Sequence, residues 1–232
     1  ELAVRATERD TVICLLAVTA GSADGWAFFG LGGAFVANMT GNTVLLGMSV
    51  FKIHGDMLHP LISLASYIAG VICGSLLTRN AKPVPEGRWP KQVWSALLLE
   101  GVMLSCAAVA WFAVHPTLGV PPYHTVLLGW VAFAIGVQSA SMLQLKIPGV
   151  VTTYITGTWT TLMNSLARFQ AQPPAERQQF ESRLGMQAAV LGSYFLSAVV
   201  TGCLFRYVPA AVGILPPLCV LLVAIYGLRT ES

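Results

Sequence analysis

The sequence predicts an all-α integral membrane protein with six transmembrane helices plus two re-entrant half-helices, a 3+3 inverted-topology repeat with N and C termini cytoplasmic. Three observations predict it: a shortage of charge, six apolar runs of spanning length, and a one-sided placement of basic residues. Only 10% of the 232 residues are charged and 55% are hydrophobic, where soluble chains carry ~25% charge. So few charges cannot clothe a soluble globule. A soluble enzyme and a disordered chain are therefore excluded. The net charge of +3 is too small and scattered to track phosphates, so no nucleic-acid partner is expected.

The first span, residues 11–31, holds a patch of small residues (Gly21, Ser22, Gly25) around Asp24. A secretory signal peptide is its competing reading; equal apolarity downstream and the acid argue against it. The chain opens at Glu1 without Met, so an upstream extension is expected. Next comes Gly32-Gly33-Ala34-Phe35-Val36-Ala37, an extended lead into a short apolar piece, residues 38–51. At 1.5 Å per residue this piece reaches only ~21 Å, short of a ~30 Å hydrocarbon core. Residues 59–78 form the second span, with Gly70-x-x-x-Gly74 for close helix approach. The third, residues 92–114, contains Glu100, with Trp89 and Trp94 as an aromatic belt at its start. The fourth is residues 125–145. Pro148-Gly149 and a β-branched run then lead into a second short piece, residues 154–168. Residues 185–205, with Ala198-x-x-x-Gly202, and residues 210–228 complete the six. Extended backbone followed by half a helix is the pattern of a discontinuous or re-entrant segment.

Basic residues orient the spans. With a cytoplasmic N-terminus and both short pieces re-entrant, all 13 Lys and Arg except Lys52 and Arg206 fall inside. Eight spans would divide them nearly evenly. Shifting the chain by 116 residues places Gly33 on Gly149, Thr40-Gly41 on Thr156-Gly157, Leu46 on Leu162 and Ser49 on Ser165. The 1–232 membrane domain then divides into repeat 1 (1–116) and repeat 2 (117–232). The second span aligns only after an insertion, residues 170–183. Three spans per repeat is an odd number, which inverts the second repeat and places a site at the midplane.

Asn38, Thr40, Gly41 and Asn42 would meet Tyr154, Thr156, Gly157 and Thr158 there. Helix N-termini offer unpaired N–H groups and partial positive charge, suited to a polar or anionic solute. Capping of the broken helices alone is the competing role. Asp24 is the candidate proton-coupling or gating acid, because an acid within a span normally faces a cavity or a partner. Holding the re-entrant backbone is its alternative role, and Glu100 is a second candidate acid. The four histidines (His54, His59, His115, His124) fall at the outer face without ligand spacing, so no metal site is expected. No cofactor is expected. Cys14, Cys73, Cys106, Cys203 and Cys219 all lie in spans, which implies no disulfide framework.

The run Gly21-Ser22-Ala23-Asp24-Gly25, then Leu31-Gly32 and Phe35-Val36-Ala37-Asn38-Met39-Thr40-Gly41-Asn42, resembles the signature of the YoaK-like family, and Thr152 to Thr158 repeats part of it. Asp24-Gly25 stands where that family usually has Asp-Ala. The resemblance implies a multi-pass protein of the bacterial inner (plasma) membrane and gives no substrate. On the physical argument the leading reading is a transporter or channel, with the bilayer and a small solute or ion as partners. A homodimer through the small-residue faces competes with packing inside the monomer. A structural or sensory protein, or an intramembrane enzyme, are the alternatives from other classes.

Overall fold

The computed structural model describes residues 2–51, 57–81, 89–114, 121–144, 155–169 and 173–231. Among the described residues the chain is helical, with no strand: α1 (Leu2–Gly30), α2 (Met39–Val50), α3 (Leu58–Thr78), α4 (Lys91–Val114), α5 (Pro121–Gln144), α6 (Ile155–Arg168), α7 (Pro174–Tyr207) and α8 (Leu215–Glu231). Six of these, all but α2 and α6, are long and apolar enough to cross a membrane. With 12 and 14 residues, α2 and α6 are too short to do so alone. The protein is therefore a multi-pass membrane protein in contact with lipid.

Where helices begin and end follows local chemistry that hydropathy does not report. α1 runs to Gly30 and stops because Gly32 and Gly33 take φ of +111° and +78°, a region open to glycine at little cost. A side chain at Gly32 would also collide with the His59 ring. Asn38 caps α2, its side-chain oxygen accepting from the Gly41 N–H at 3.1 Å. The segment expected as a loop insertion, residues 170–183, instead supplies the start of α7, which begins at Pro174. Proline fits the first turn of a helix, where its missing N–H costs nothing. The last span starts late: Pro209–Ala211 form a 3-10 turn, and α8 begins only at Leu215.

α1 and α5 are the most enclosed spans, α3 and α7 the least. The most extensive pairings are α3 with α5 and α1 with α7; α4 packs on α5 and α8, and α1 also on α8. α2 lies on α3 and α6 on α7. The two largest interfaces are made backbone to backbone. A Cβ on Gly70 would meet the Phe133 carbonyl of α5, and one on Gly136 the Tyr67 carbonyl of α3. A Cβ on Gly21 would meet the Tyr194 carbonyl of α7, and one on Gly25 would lie 2.9 Å from Thr201. Gly70 and Gly74 thus serve packing inside the chain. Hydroxyls in this apolar bundle bond back to their own helix: Ser22 to the Val18 carbonyl, Ser139 to Ile135, Thr201 to Ser197. Ile68, Ile72 and Leu76 on α3, and Phe195 and Val199 on α7, turn outward as a lipid-facing surface.

Candidate functional site

Tyr67 stands midway along α3 and Tyr194 midway along the apolar part of α7. Between them lies a cavity of about 470 Å³. Its wall includes Asn38, Met39 and Thr40 at the start of α2, Ile155 and Thr156 at the start of α6, and Ser139 and Leu143 of α5. Both short helices therefore present their N-terminal turns to one space. Among the candidate residues, Asn38, Thr40 and Thr156 line it. Tyr154 lies outside the described residues, as do residues 145–153.

The others stand behind that wall. Asn42 is fully buried and works as a brace: its amide donates to the Phe35 carbonyl (2.7 Å) and to Ser63 Oγ (3.0 Å), while its carbonyl accepts from the Phe35 N–H (2.8 Å). The Ser63 hydroxyl donates to the same Phe35 carbonyl. Extended backbone, whose polar groups no helix satisfies, is thereby paired inside an apolar bundle. Gly41 admits the Phe35 ring at 3.0 Å from where a Cβ would stand. Thr158 is buried, and Gly157 accepts through its carbonyl from the Thr161 hydroxyl at 2.8 Å.

Asp24, 4% exposed, ties three elements together. Its Oδ1 accepts from the N–H groups of Val36 and Ala37, both at 2.7 Å, and of Asn38 at 3.4 Å. The Tyr194 hydroxyl donates to Oδ2. One carboxylate on α1 thus fixes the lead-in to α2 and orients a cavity-lining ring on α7. Glu100 lies apart on α4, fully buried, and neither carboxyl oxygen has a hydrogen-bond partner among the described residues.

Tyr67, Tyr194 and Ser139 were not among the residues the sequence singled out. The signal was there: tyrosine favours the membrane–water interface, yet each Ser-Tyr pair, Ser66-Tyr67 and Ser193-Tyr194, sits mid-span. Of the histidines, His59 bonds to Thr125 at 3.2 Å beside Gly32, and the His124 ring lies 6.0 Å from Trp111. His54 and His115 lie outside the described residues. The five cysteines are free.

Comparison with known proteins gives a family and no activity. The UPF0700 transmembrane protein YoaK of Bacillus subtilis (strain 168) is 34% identical over 163 residues, 70% of this chain and 69% of the relative. No solved structure matches. Residues 12–226, from the first span to the last, match the family described as "Protein of unknown function (DUF1275)", and the chain belongs to that family.

Proposed function

We propose that this protein is a bacterial inner-membrane transporter or channel for a small polar or anionic solute. The observation that carries the reading is the cavity lined by the first residues of both short helices. Chains enter the membrane with half a helix where irregular backbone must line a site. On this reading α2 and α6 are re-entrant, entering from opposite faces. Asn38, Thr40 and Thr156 contact the solute, joined by Tyr154; Gly41 and Gly157 allow close approach, and Asn42 and Thr158 brace the two helix starts.

The packing pattern supports the inverted repeat. Exchange α1 with α5, α2 with α6, α3 with α7 and α4 with α8. The α1–α7 pairing becomes α5–α3, α2–α3 becomes α6–α7, and α4–α5 becomes α8–α1, all of which occur. A pseudo-two-fold axis in the membrane plane has this consequence, and the cavity wall draws on both members of two exchanged pairs, α2 with α6 and α3 with α7.

Asp24 acts in this scheme as the gating or proton-coupling acid. It does so through Tyr194 and the backbone of Val36 and Ala37, since both oxygens are occupied. The test is solute flux into proteoliposomes, screened over small anions, organic acids and neutral solutes with and without a pH gradient. Flux of at least one solute is expected. Asp24→Asn, which keeps an acceptor but removes the charge, is expected to slow it at least tenfold or to abolish its response to the gradient. No flux for any solute would sink the proposal.

A further inference from the structure

Tyr67 and Tyr194 face one cavity from matching places. Each lends its backbone carbonyl to a glycine contact on the paired span, Gly136 for Tyr67 and Gly21 for Tyr194. Their hydroxyls differ. That of Tyr194 is spent on Asp24, whereas that of Tyr67 has no partner among the described residues. Nor do the Thr40 and Thr156 hydroxyls, and Asn38, whose oxygen caps α2, keeps its amide N–H groups. Amide N–H groups only donate and each hydroxyl donates or accepts, so every one of these side chains can turn a hydrogen-bond donor to a solute.

The electrostatics point the same way. A helix N-terminus acts as roughly half a positive charge, so two facing one space amount to about one. Asp24, the acid beside this space, already accepts four hydrogen bonds. Among the described lining residues none is acidic and none is basic. A cation would find no free carboxylate, and a dianion would find only half of the compensating charge it needs.

We propose that the cavity selects a small monoanion and that the Tyr67 hydroxyl is a donor that binds it. This rests on the transport reading and narrows its substrate class. The test uses the full chain in proteoliposomes, comparing initial uptake of nitrate and formate with sulfate, glycerol and methylammonium. Nitrate or formate uptake is expected to saturate and to exceed the other three at least tenfold. Tyr67→Phe, which removes one oxygen and keeps the ring, is expected to lower it at least fivefold. Uptake of glycerol, methylammonium or sulfate as fast as nitrate would overturn the monoanion assignment and leave transport standing. Wild-type uptake by a folded Tyr67→Phe would overturn the role of Tyr67. If that variant does not fold, wild-type selectivity still decides, alongside thermal unfolding, where nitrate should protect more than sulfate at equal ionic strength. No uptake of any of the five would count against the transport reading itself.

Discussion

Asp24 and Glu100 are both buried carboxyl groups on spans, and their surroundings separate them. Asp24 meets two backbone N–H groups at 2.7 Å and a tyrosine hydroxyl, so its cost of burial is offset by charge-assisted bonds. Glu100 has none of this among the described residues. A buried polar group without a partner costs ~1–3 kcal/mol in mutational series. Glu100→Leu is therefore expected to stabilise the protein by about that amount, with Glu100→Gln near neutral. Denaturation in detergent measures both; a clear loss of stability in the leucine variant would show that the carboxyl has a partner. The sequence ranks Asp24 first for the small residues around it, but it reports only that each acid lies in a span and not what it touches. Part of the site was legible for the same kind of reason. The polar cluster at the start of α2 pointed to Asn38 and Thr40, both in the cavity wall. Asn42 looked the same in sequence yet turns inward to Phe35 and Ser63. Asn38 stands at the open end of α2 as its cap, whereas Asn42, one turn further in, meets the Phe35 backbone and Ser63 of α3; depth along the helix separates lining from bracing.

Elements were more legible than residues, because the apolar runs are long and hydropathy depends on no tertiary contact. All six spans and both short helices coincide with helices of the structure. Two misses fall where helices leave the apolar region, the start of α1 at Leu2 and that of α7 at Pro174, and a third where the 3-10 turn delays α8 to Leu215. Hydropathy marks where lipid begins, whereas helices continue as long as backbone bonding and propensity allow. Glycine has two meanings here that sequence does not separate. Gly70 is pressed against the Phe133 backbone, while Gly192, on α7, has open space around it. Gly70→Ala must push α3 off α5 and is expected to cost ~1–3 kcal/mol, the usual range for overpacking. Gly192→Ala is expected to be neutral or to stabilise by up to ~1 kcal/mol through a less flexible unfolded chain. Equal effects of the two substitutions on thermal unfolding would contradict the close α3–α5 packing.

At the scale of the molecule, the pairings constrain how a cavity could open alternately to the two sides. Each half of the chain contributes to both tight interfaces: α3 of the first half packs on α5 of the second, and α7 of the second on α1 of the first. On the transport reading, rocking one half of the chain against the other would break both interfaces, in which backbone touches backbone at Gly70, Gly136 and Gly21. Close-packed interfaces resist large separation and allow at most small sliding of one helix on another. On the same reading, the bodies that would move are instead the α3–α5 pair carrying α2 and the α1–α7 pair carrying α6, each held together by its own close contacts. Tyr67 and Tyr194 then stand on opposite bodies, and Asp24, held to the lead-in of α2, becomes a tie across their boundary. A cross-link within one body distinguishes this motion from repeat-against-repeat rocking. A Cβ at Gly129 stands 3.9 Å from the Ser66 Cβ, within the ~3.5–4.5 Å that a disulfide needs. With the native cysteines replaced, Gly129→Cys and Ser66→Cys are expected to bridge α5 to α3 on oxidation and to leave flux intact. Bridging Thr40→Cys to Thr156→Cys, across the cavity, is expected to arrest it. Arrest by the Gly129–Ser66 bridge, reversed on reduction, would show that α3 and α5 slide past one another and would return the motion to the repeats.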